Sequence, residues 1–424
     1  MVQIMRKMKD SGIEWIGEIP EGWETCLYKY CCSVQPGYPF DSAKFSNSNT
    51  DGFPLIRIRD ITSGEIQTYY TDSYDSSYII TAGDLLVGMD GDFNVRWWNN
   101  SDALLNQRCC RIIEKGRFSR RFLYYVLPFT LQYINTLTYA TTVKHLANGD
   151  ILNSFIAFPP FSVQKNITCY LDKNCSNIDS ILSKTRSSIE EYKKLKQAVI
   201  TQAVTKGVRG ERKMKDSGVE WIGEIPKEWV CEKIKYATSI SRGLFNHRPR
   251  NDERYYNGKY PFIQTGDVAN ATKYIVSYSQ TLNELGKSVS KEFPKGTLTM
   301  TIAANVGDVA ILNFDAYFPD SVVGFIPNKN IRTLYLFYVF SAMKDEFTRT
   351  AIKSTQLNLN IDRVKETFIP VTRDSNEQCE IENYLESKCA EIDGLIAKKE
   401  QLVKELESYK KSLIYEVVTG KREV

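Results

Sequence analysis

The sequence predicts an α+β fold in which two globular mixed α/β domains are separated by two long antiparallel helices with a coiled-coil-like seam. Three observations in the 424 residues support this prediction. One motif occurs twice, a long segment with helical periodicity closes each copy, and short strand-like stretches with Gly and Pro turns lie between motif and helix. Together they indicate a pseudo-two-fold internal repeat.

The repeat is clearest in two tryptophan-containing segments. Residues 8–23 read MKDSGIEWIGEIPEGW and residues 214–229 read MKDSGVEWIGEIPKEW, with 13 of 16 positions identical. Further matches follow at an offset of 214, where Asp172 corresponds to Glu386 and Val204 to Val418. Because this period is far longer than a solenoid unit, a whole domain has been duplicated.

Each repeat closes with a segment that is predicted to be a long helix. Extended back to Gln164 and Gln378, each helix reaches about 40 residues, or roughly 60 Å. Two such helices pair with each other more naturally than they bury separately, although separate burial is the alternative. The predicted apolar stripes consist of Ile178, Ile181, Leu182, Ile189, Tyr192, Leu195, Val199 and Ala203 in the first copy, and Ile392, Leu395, Ile396, Leu402, Val403, Leu406, Tyr409, Leu413 and Val417 in the second.

Composition and charge exclude several classes of protein. Apolar residues make up 42% and charged residues 25% of the chain, which is typical of a globular protein. The longest apolar run, from Leu334 to Phe340, is too short to span a bilayer, and the N-terminal residues show no signal segment. A net charge of +4 excludes a histone-like tail but permits a local basic groove. We therefore expect a cytoplasmic protein whose ten cysteines are reduced and mostly buried.

Signatures of catalysis are scarce. The sequence has no GxxxxGK[ST] phosphate loop and no GxGxxG after a strand. Residues 158–161, FPPF, contain the two prolines of the amino-methyltransferase motif, but Phe158 has no oxygen to accept a hydrogen bond from a target amine. Only two histidines are present, and no cysteine pair has metal-ligand spacing. We expect no catalytic residue and no metal site.

The complete pattern resembles the specificity (S) subunit of type I restriction–modification systems. The motif SG(I/V)EWIGEIPxxW, a variable stretch and a closing helix that ends in Val-Thr occur twice, and the likeness covers residues 8–424. The resemblance implies that each variable stretch is a target-recognition domain that reads one half of an asymmetric bipartite DNA site. It also implies that the helices fix the spacing of the half-sites and dock methyltransferase subunits.

The same resemblance implies a set of partners. They are double-stranded DNA, two modification (methyltransferase) subunits and restriction (translocase–nuclease) subunits, with no membrane. The chain is then non-catalytic and binds no cofactor, whereas S-adenosylmethionine, ATP and Mg belong to the partner subunits. The expected segments are a first recognition domain (8–160), a first spacer helix (161–206), a linker (207–213), a second recognition domain (214–374) and a second spacer helix (375–424).

Candidate DNA-contacting residues are polar and basic side chains on loops or at element ends. The triplet Asn106–Arg108 offers groups for both an adenine and a guanine, and residues 242–250 form the most basic short stretch. In the first domain the candidates are Arg57, Arg59, Asp92, Asn94, Arg96, Asn106, Gln107, Arg108, Thr142 and Lys144. In the second they are Arg242, His247, Arg248, Arg250, Gln264, Asn305, Thr355 and Gln356. Arg57 and Arg59 are predicted to leave a strand, and for each candidate the alternative is a solvated loop residue.

A second group of candidates is predicted to bind partner subunits. The tryptophans of the repeated motif have the character of a docking surface, with packing inside their own domain as the alternative. The candidates are Trp15, Trp23, Trp221 and Trp229 in the motifs, and Tyr192, Leu195, Leu406 and Tyr409 on the helices. Two other functions stay open at this point, a protein-interaction adaptor without DNA binding and a free-standing nuclease or methyltransferase.

Overall fold

The mixed α+β class predicted from the repeat is the class of the fold. The computed structural model describes residues 6–137, 144–350, 352–353 and 357–424. The chain divides into unit 1, formed by Met1–Thr185 with Gln401–Val424, and unit 2, formed by Arg186–Glu400. The units do not coincide with the two sequence repeats, because the last residues of the second repeat belong to unit 1.

The described residues of unit 1 form short strands, four short to medium helices and parts of two long helices. Its elements are β1 (Met8–Asp10), β2 (Glu18–Pro20), β3 (Glu24–Leu27), α1 (Tyr28–Cys31), β4 (Cys32–Pro36), β5 (Phe45–Ser46), β6 (Phe53–Ile56), α2 (Ile58–Ser63), β7 (Tyr69–Tyr70), β8 (Ile79–Ile80), β9 (Leu85–Gly88), β10 (Val95–Trp97), β11 (Ala103–Leu105), β12 (Cys109–Glu114), α3 (Arg120–Leu137), α4 (Asn148–Leu152), β13 (Phe155–Phe158) and the start of α5 (Phe161–Lys206).

Two main sheets organise unit 1. The first has the strand order β10-β9-β12-β4 with antiparallel neighbours, and the second has the order β5-β7-β6-β11-β8. Within the second sheet β11 runs parallel to β6, so the ends of these two strands point the same way. This parallel pair brings the residues that follow β6 and those that follow β11 to one edge.

Unit 2 repeats this plan with different residues. Its elements are β14 (Met214–Asp216), β15 (Glu224–Pro226), β16 (Val230–Lys233), α6 (Ile234–Ala237), β17 (Thr238–Arg242), β18 (Tyr256–Phe262), α7 (Thr265–Asn270), β19 (Tyr274–Ile275), β20 (Gln280–Leu282), α8 (Glu284–Ser288), β21 (Glu292–Phe293), β22 (Leu298–Thr301), β23 (Val309–Leu312), β24 (Ala316–Tyr317), β25 (Val322–Pro327), α9 (Thr333–Ala342), α10 (Lys344–Thr350), β26 (Ile352–Lys353), β27 (Leu357–Asn358), α11 (Ile361–Glu366), β28 (Phe368–Val371) and α12 (Ser375–Val418), whose last part belongs to unit 1.

The sheets of unit 2 correspond to those of unit 1. One has the order β17-β25-β22-β23-β19 and the other has the order β20-β18-β24-β21, again with one parallel pair, β18 with β24, in the second sheet. Strands β9 and β22 lie at equivalent places in the two units. Among the helices in the described ranges, none combines the length and the hydropathy of a bilayer span.

Segments of the two long helices run antiparallel inside unit 2. Lys196 of α5 bonds Asp393 of α12 at 2.7 Å, and the ammonium group of Lys399 lies 5.6 Å from the ring centre of Tyr192. Contacts therefore move forward along α12 as they move back along α5. The predicted pairing of two long helices is thus found, with 46 residues in α5 and 44 in α12.

The same pairing occurs inside unit 1. Asp179 of α5 bonds Lys410 of α12 at 2.6 Å. Four residues after the end of α12, a hydrogen bond to Tyr409 and then the nearby phenol of Tyr170 raise the pKa of Arg422. Later positions near the end of α12 thus meet earlier positions of α5, so the two segments run in opposite directions here as well. Lys196 corresponds to Lys410, and Asp393 to Asp179, at the offset of 214, so each unit contains the same ion pair with the helices exchanged.

Part of the predicted apolar stripe does not lie in a seam. The side chains of Ile181, Leu195, Leu402 and Tyr409 are 47%, 48%, 41% and 50% exposed. The stripe prediction is wrong at these positions because a pair of helices buries only a narrow face, while spacings of three and four cover a wider one. The exposed members leave apolar surface on both long helices.

The repeated tryptophan motif packs against the end of a long helix in each unit. In unit 1, Trp23 and its neighbouring isoleucines share a core with Leu413 and Val417 of α12, and the hydroxyl of Tyr415 donates to the Trp15 carbonyl at 3.0 Å. In unit 2, Trp229 shares a core with Val204 of α5. The second motif follows α5 directly in the chain, whereas the first motif meets a helix end about 400 residues away.

A buried glutamine in the first turn of each long helix joins that helix to its domain. Gln164 accepts a hydrogen bond from the backbone N–H of Ser119 at 2.9 Å and donates to the carbonyl of Pro159 at 3.0 Å. Gln378 accepts from the N–H of Arg332 at 2.8 Å and donates to two backbone carbonyls. Both side chains are fully buried, and a buried amide with every group bonded fixes one point of contact firmly.

Replacing Gly420 tests the contact between the first motif and the end of α12. Gly420 has φ +73°, and a Cβ there would overlap the ring of Pro20. We expect Gly420→Ala to lower the free energy of unfolding by about 2 kcal/mol, because a left-handed backbone and a steric clash both oppose the methyl group. Denaturant unfolding measures the change. Gly210→Ala is the matched control, since Gly210 has no positive φ and nothing within 4 Å of its Cβ, and an equal loss in both variants would contradict the prediction.

The reactivity of the cysteines tests which thiols are buried in the fold. Burial raises the pKa of the Cys32 and Cys109 thiols to about 12, so almost no thiolate is present at pH 8, and the thiolate is the reactive form. Cys169 is exposed on α5. We expect iodoacetamide at pH 8 to alkylate Cys169 within minutes and to leave Cys32 and Cys109 unmodified, as read by peptide mass spectrometry. Denatured chain, in which all three react, is the control.

Candidate nucleic-acid interface

A small cleft in unit 1 gathers four of the predicted DNA-contacting residues. Its volume is about 230 Å³. The parallel pairing of β6 with β11 creates the cleft, because the N–H of Asn106 donates to the carbonyl of Ile56 at 3.2 Å. The residues after both strands therefore lie side by side. The lining consists of Phe40, Ser42, Phe45, Arg57, Ile58, Asn106, Gln107 and Arg108.

The four predicted residues of this cleft have different roles. Asn106 is buried, and its side-chain oxygen accepts the N–H of Gln107 at 2.7 Å, so it shapes the turn. Gln107 and Arg108 are exposed, and Arg108 lies 3.6 Å from Asp90. The guanidinium of Arg57 lies 5.7 Å from the centre of a phenylalanine ring in the lining. One amide and two guanidinium groups are thus available to a ligand.

The loop from Asp90 to Arg96 is tied to α2. Arg96 donates to the carbonyls of Ile61 and Thr62 at 2.7 and 2.6 Å, near the end of that helix. Asn94 donates to the hydroxyl of Thr62 at 3.2 Å. These bonds give the loop a defined shape and engage Arg96 inside unit 1. Asp92 is exposed on the same loop.

Three further candidates of unit 1 lie outside this loop and the cleft. Arg59 lies within α2, so the expectation that it leaves a strand is wrong; β6 ends at Ile56, and the carboxylate of Asp60 accepts the N–H of Arg57 at 2.8 Å and starts the helix. Arg59 donates to a threonine hydroxyl at 2.8 Å. Lys144 donates to the carbonyl of an asparagine at 2.8 Å. Thr142 lies outside the described residues.

In unit 2 three predicted arginines surround one aspartate. Arg242 donates to the carbonyl oxygen of Asp320 at 2.5 Å, and the carboxylate of Asp320 pairs with Arg250 and, at 3.7 Å, with Arg248. The side chains of Arg248 and Arg250 are 56% and 46% exposed. Three cations around one carboxylate leave a net positive patch on the surface, which suits a phosphate.

His247 is held against the base of this arginine patch. Its ring stacks on Tyr255 with 4.0 Å between ring centres, and its Nε2 lies 3.0 Å from a carboxylate oxygen of Asp252. Hydrogen bonds from Arg254 lower the pKa of Asp252 strongly, so this carboxylate is charged at neutral pH. His247 thus positions the arginine-bearing loop.

The remaining candidates of unit 2 divide between the frame and the surface. Gln264 precedes α7 as Arg57 precedes α2, and in both cases an aspartate three residues later accepts the backbone N–H at 2.8 Å. Equivalent places in the two units therefore carry an arginine and a glutamine. Asn305 is exposed in a turn after Ala304, which has φ +62°. Thr355 and Gln356 lie outside the described residues.

The motif tryptophans are mostly internal. Trp23 is 2% exposed and Trp229 is fully buried, with its indole N–H donating to Glu377 at 2.9 Å. For these two residues the docking prediction is corrected to packing within their own unit. Trp15 and Trp221 are half-buried, and Trp15 stacks on Phe129 with 6.3 Å between ring centres.

The four helix candidates form two equivalent pairs. Tyr192 corresponds to Leu406, and Leu195 to Tyr409, at the offset of 214. Tyr192 and Leu406 are half-buried, whereas Leu195 and Tyr409 are close to 50% exposed. Each unit therefore presents one strongly exposed apolar side chain beside a half-buried one.

Sequence reasoning missed two groups of residues. One is the aromatic wall of the unit 1 surface, where Tyr38, Tyr74 and Tyr78 line a second cleft beside Phe40. The other is a tyrosine–carboxylate pair in each unit, Tyr125 with Asp172 and Tyr338 with Glu386. The offset of 214 between Asp172 and Glu386 was a usable signal, but strands and helices far apart in sequence supply the partners. In the described ranges no three His, Cys, Asp or Glu side chains form a group that could hold a metal ion.

Comparisons with known proteins agree with this two-unit arrangement. The family model described as the type I restriction modification DNA specificity domain matches residues 20–191 and 240–405. The chain is 27% identical to the EcoBI type I restriction enzyme specificity subunit of Escherichia coli, over 92% of this chain and 84% of that one. It is 23% identical to the MjaVIII specificity subunit of Methanocaldococcus jannaschii, over 99% and 98% of the two chains.

A solved structure extends the likeness to the fold. It is described as the structural basis of complex assembly and conformational transition of the type I R-M system, and one of its chains matches with a TM-score of 0.72 at 16% identity, covering 95% of this chain and 99% of that one. The sequence matches and the shared fold span both units. The chain therefore belongs to the type I restriction–modification DNA specificity family, and it is a non-catalytic specificity subunit.

Proposed function

We propose that each unit carries one reader of an asymmetric, two-part DNA site and that the long helices hold the two readers a fixed distance apart. The observation that carries this proposal is one frame built twice with different polar side chains at equivalent places. Arg57 in unit 1 and Gln264 in unit 2 stand at equivalent places before α2 and α7. Because arginine favours guanine and glutamine favours adenine, equivalent positions would read different bases.

The length of the helices supports a spacing role. At ~1.5 Å per residue, helices of 46 and 44 residues are roughly 65–70 Å long. Readers of two successive major grooves on one face of DNA are about 34 Å apart. Paired helices bend less than a loop, so the gap between the half-sites becomes a geometric constant of the chain.

The two units are proposed to use different contacts. In unit 1 the cleft beside Gln107 and Arg108 would take base edges, since an amide and a guanidinium group are exposed together there. In unit 2 the arginines around Asp320 would bind DNA phosphates and thereby fix the register of this domain on the duplex. The boundaries 8–160 and 214–374 are proposed for the two recognition domains, with the helices outside them.

The partner subunits are proposed from the exposed apolar side chains on the long helices. Leu195 and Tyr409 are equivalent, so two copies of one modification subunit would find two similar sites. Restriction subunits would join that assembly in the cytoplasm. Methyl transfer from S-adenosylmethionine and ATP- and Mg-dependent steps would then occur on the partners.

Methylation mapping tests the proposal as a whole. Genomic DNA from a host that expresses this chain with its modification subunits is compared with DNA from the same host lacking the chain. We expect methylation at a two-part sequence with one fixed spacer, present only when the chain is expressed. Methylation at an unsplit sequence, or none in the complete assembly, would contradict the proposal.

Charge reversal in unit 2 tests the phosphate contacts. We expect the triple variant Arg242→Glu, Arg248→Glu and Arg250→Glu to lose about 100-fold or more in affinity for target duplex, because three cations become anions beside DNA. The salt dependence of log affinity should fall by about 2.7 in slope if each arginine releases one counterion. Fluorescence anisotropy of the complete methyltransferase assembly at several salt concentrations measures both quantities.

A second triple variant with the same change of charge is the control for this test. Lys215, Lys295 and Lys329 are exposed in unit 2 and are not predicted to contact DNA. Their replacement by glutamate should change the affinity several times less than the arginine variant does. If the arginine variant bound DNA like the wild type, a protein-interaction adaptor would be the better description of unit 2.

Substitutions on the helices test the docking sites. We expect Leu195→Asp and Tyr409→Asp each to weaken the association with one modification subunit by about tenfold or more, since a charge replaces an apolar side chain in the buried contact. Size-exclusion chromatography with light scattering should show an assembly with one modification subunit fewer. Lys194→Asp, a neighbouring exposed position, is the control; loss of assembly in that variant alone would place the contact on another face.

A further inference from the structure

A tyrosine, a carboxylate and a cation meet at the same place in both units, where the recognition domain touches the long helix. In unit 1 the hydroxyl of Tyr125 on α3 donates to Asp172 on α5 at 2.6 Å, and Arg121, one turn earlier, donates to the same oxygen at 2.7 Å. The Arg121 guanidinium also lies 4.5 and 4.7 Å from the ring centres of Trp97 and Tyr124. This packing leaves the side chain little freedom.

Unit 2 has the same arrangement with a different source of charge. Tyr338 on α9 donates to Glu386 on α12, and Lys273, from the segment before β19, bonds the same carboxylate. Tyr338 corresponds to Tyr125 at an offset of 213, but no cation corresponds to Arg121, whose counterpart is Leu334. The two units thus form the same tyrosine–carboxylate–cation contact, with the cation supplied by a different segment in each.

On each long helix the triad carboxylate lies some distance from the buried glutamine, and this separation lets the two contacts together fix the angle of the domain. Gln164 and Asp172 are eight residues apart on α5, and Gln378 and Glu386 are eight residues apart on α12, which is about 12 Å on a helix. One point of attachment leaves a domain free to pivot, whereas two points separated along the helix define an angle. The apolar contacts in between are non-directional and oppose tilting weakly.

We propose that these tyrosine–carboxylate–cation triads, Tyr125–Asp172–Arg121 and Tyr338–Glu386–Lys273, set the angle of each recognition domain on its long helix and thereby help to define the spacing of the two half-sites. The inference rests on the proposed bipartite reading of DNA. The six side chains are positioning residues, since they act through the orientation of the reader.

The size of the effect follows from the dimensions of the domain. A domain of about 150 residues has a radius of gyration of about 15 Å, so a reading loop lies roughly 25 Å from the helix. A tilt of ~10° moves that loop by roughly 4 Å, which exceeds the rise of ~3.4 Å per base pair. A small change in angle is therefore enough to shift the preferred spacer by one base pair.

The protonation state of the two tyrosines is consistent with a hydrogen bond to the carboxylate that persists over the working pH range. Burial, and then the hydrogen bond to the carboxylate, raise the pKa of Tyr125 and of Tyr338 well above the ordinary value. Both phenols are therefore protonated donors at every pH at which the protein is expected to work. Tyr→Phe removes the donor and keeps the ring, so the variant should fold.

The test measures spacer preference in the complete methyltransferase assembly. Duplexes carry the mapped half-sites with a spacer of the natural length, or one base pair shorter or longer. We expect Tyr125→Phe, Asp172→Asn and Tyr338→Phe to reduce the ratio of methylation rates, natural over altered spacer, by about fivefold. The base preferences within each half-site should not change. Asp172→Glu, which copies the carboxylate of unit 2, should restore most of the ratio.

Tyr133→Phe is the matched control. Tyr133 lies on the same helix α3, and its hydroxyl donates to a carboxylate oxygen of Glu14 at 2.5 Å, away from the triad. Its replacement should leave the ratio unchanged. If the triad variants methylated all three spacers more slowly by the same factor, or kept the wild-type ratio, the positioning role would be refuted.

A distance measurement separates this inference from the proposed function. Spin labels at Asp92 and Lys184, both exposed in unit 1, report the angle between domain and helix in the full-length chain after exposed cysteines are replaced. We expect a broader or shifted distance distribution in Tyr125→Phe than in Tyr133→Phe. An unchanged distribution overturns the triad's role whatever the chain does with DNA, whereas a changed one with no bipartite methylation in the wild type refutes only the proposed function.

Discussion

The packing of a tryptophan motif on the end of a long helix is the constraint on which each unit depends. In unit 1 it joins Trp23 to Val417, so the first and last segments of the chain are folded into one core. In unit 2 the same contact forms between neighbours in sequence, Trp229 and Val204. Apolar burial of this extent dominates the stability of such a core and needs no special geometry. The motif and the helix ends therefore stay alike while the inserts between them differ.

The two units share a frame and differ in the polar side chains that the frame exposes. Both frames contain a parallel strand pair, an aspartate-capped helix start and a buried glutamine at the base of a long helix. On this frame unit 1 exposes an amide and guanidinium groups around a cleft, whereas unit 2 exposes arginines around one aspartate. Changing such surface side chains costs little stability, since they contribute few buried contacts. A specificity subunit can thus acquire new readers without rebuilding its core.

Polar contacts between domain and helix have a different role from the apolar core. Gln164 and Asp172 on α5 each bond groups of the domain at short, directed distances. Hydrogen bonds with charged or fully buried partners depend steeply on angle, so they select one orientation from the many that apolar contact permits. Directed hydrogen bonds also fix the loop between Asp90 and Arg96, because its bonds to the end of α2 give this surface loop a defined shape.

The sequence by itself determined the duplication, the two long helices, the α+β class and the family, because these follow from local periodicity and from motifs that repeat at fixed offsets. It also proposed Gln107 and Arg108 as DNA contacts, and both side chains are exposed. Tertiary structure decided which stripe residues are buried, that Arg59 lies on a helix, that Trp23 and Trp229 are internal, and that Tyr125 meets Asp172. Burial and long-range hydrogen bonds depend on how segments far apart in the chain pack. The periodicity of one segment does not reveal which other segment it packs against.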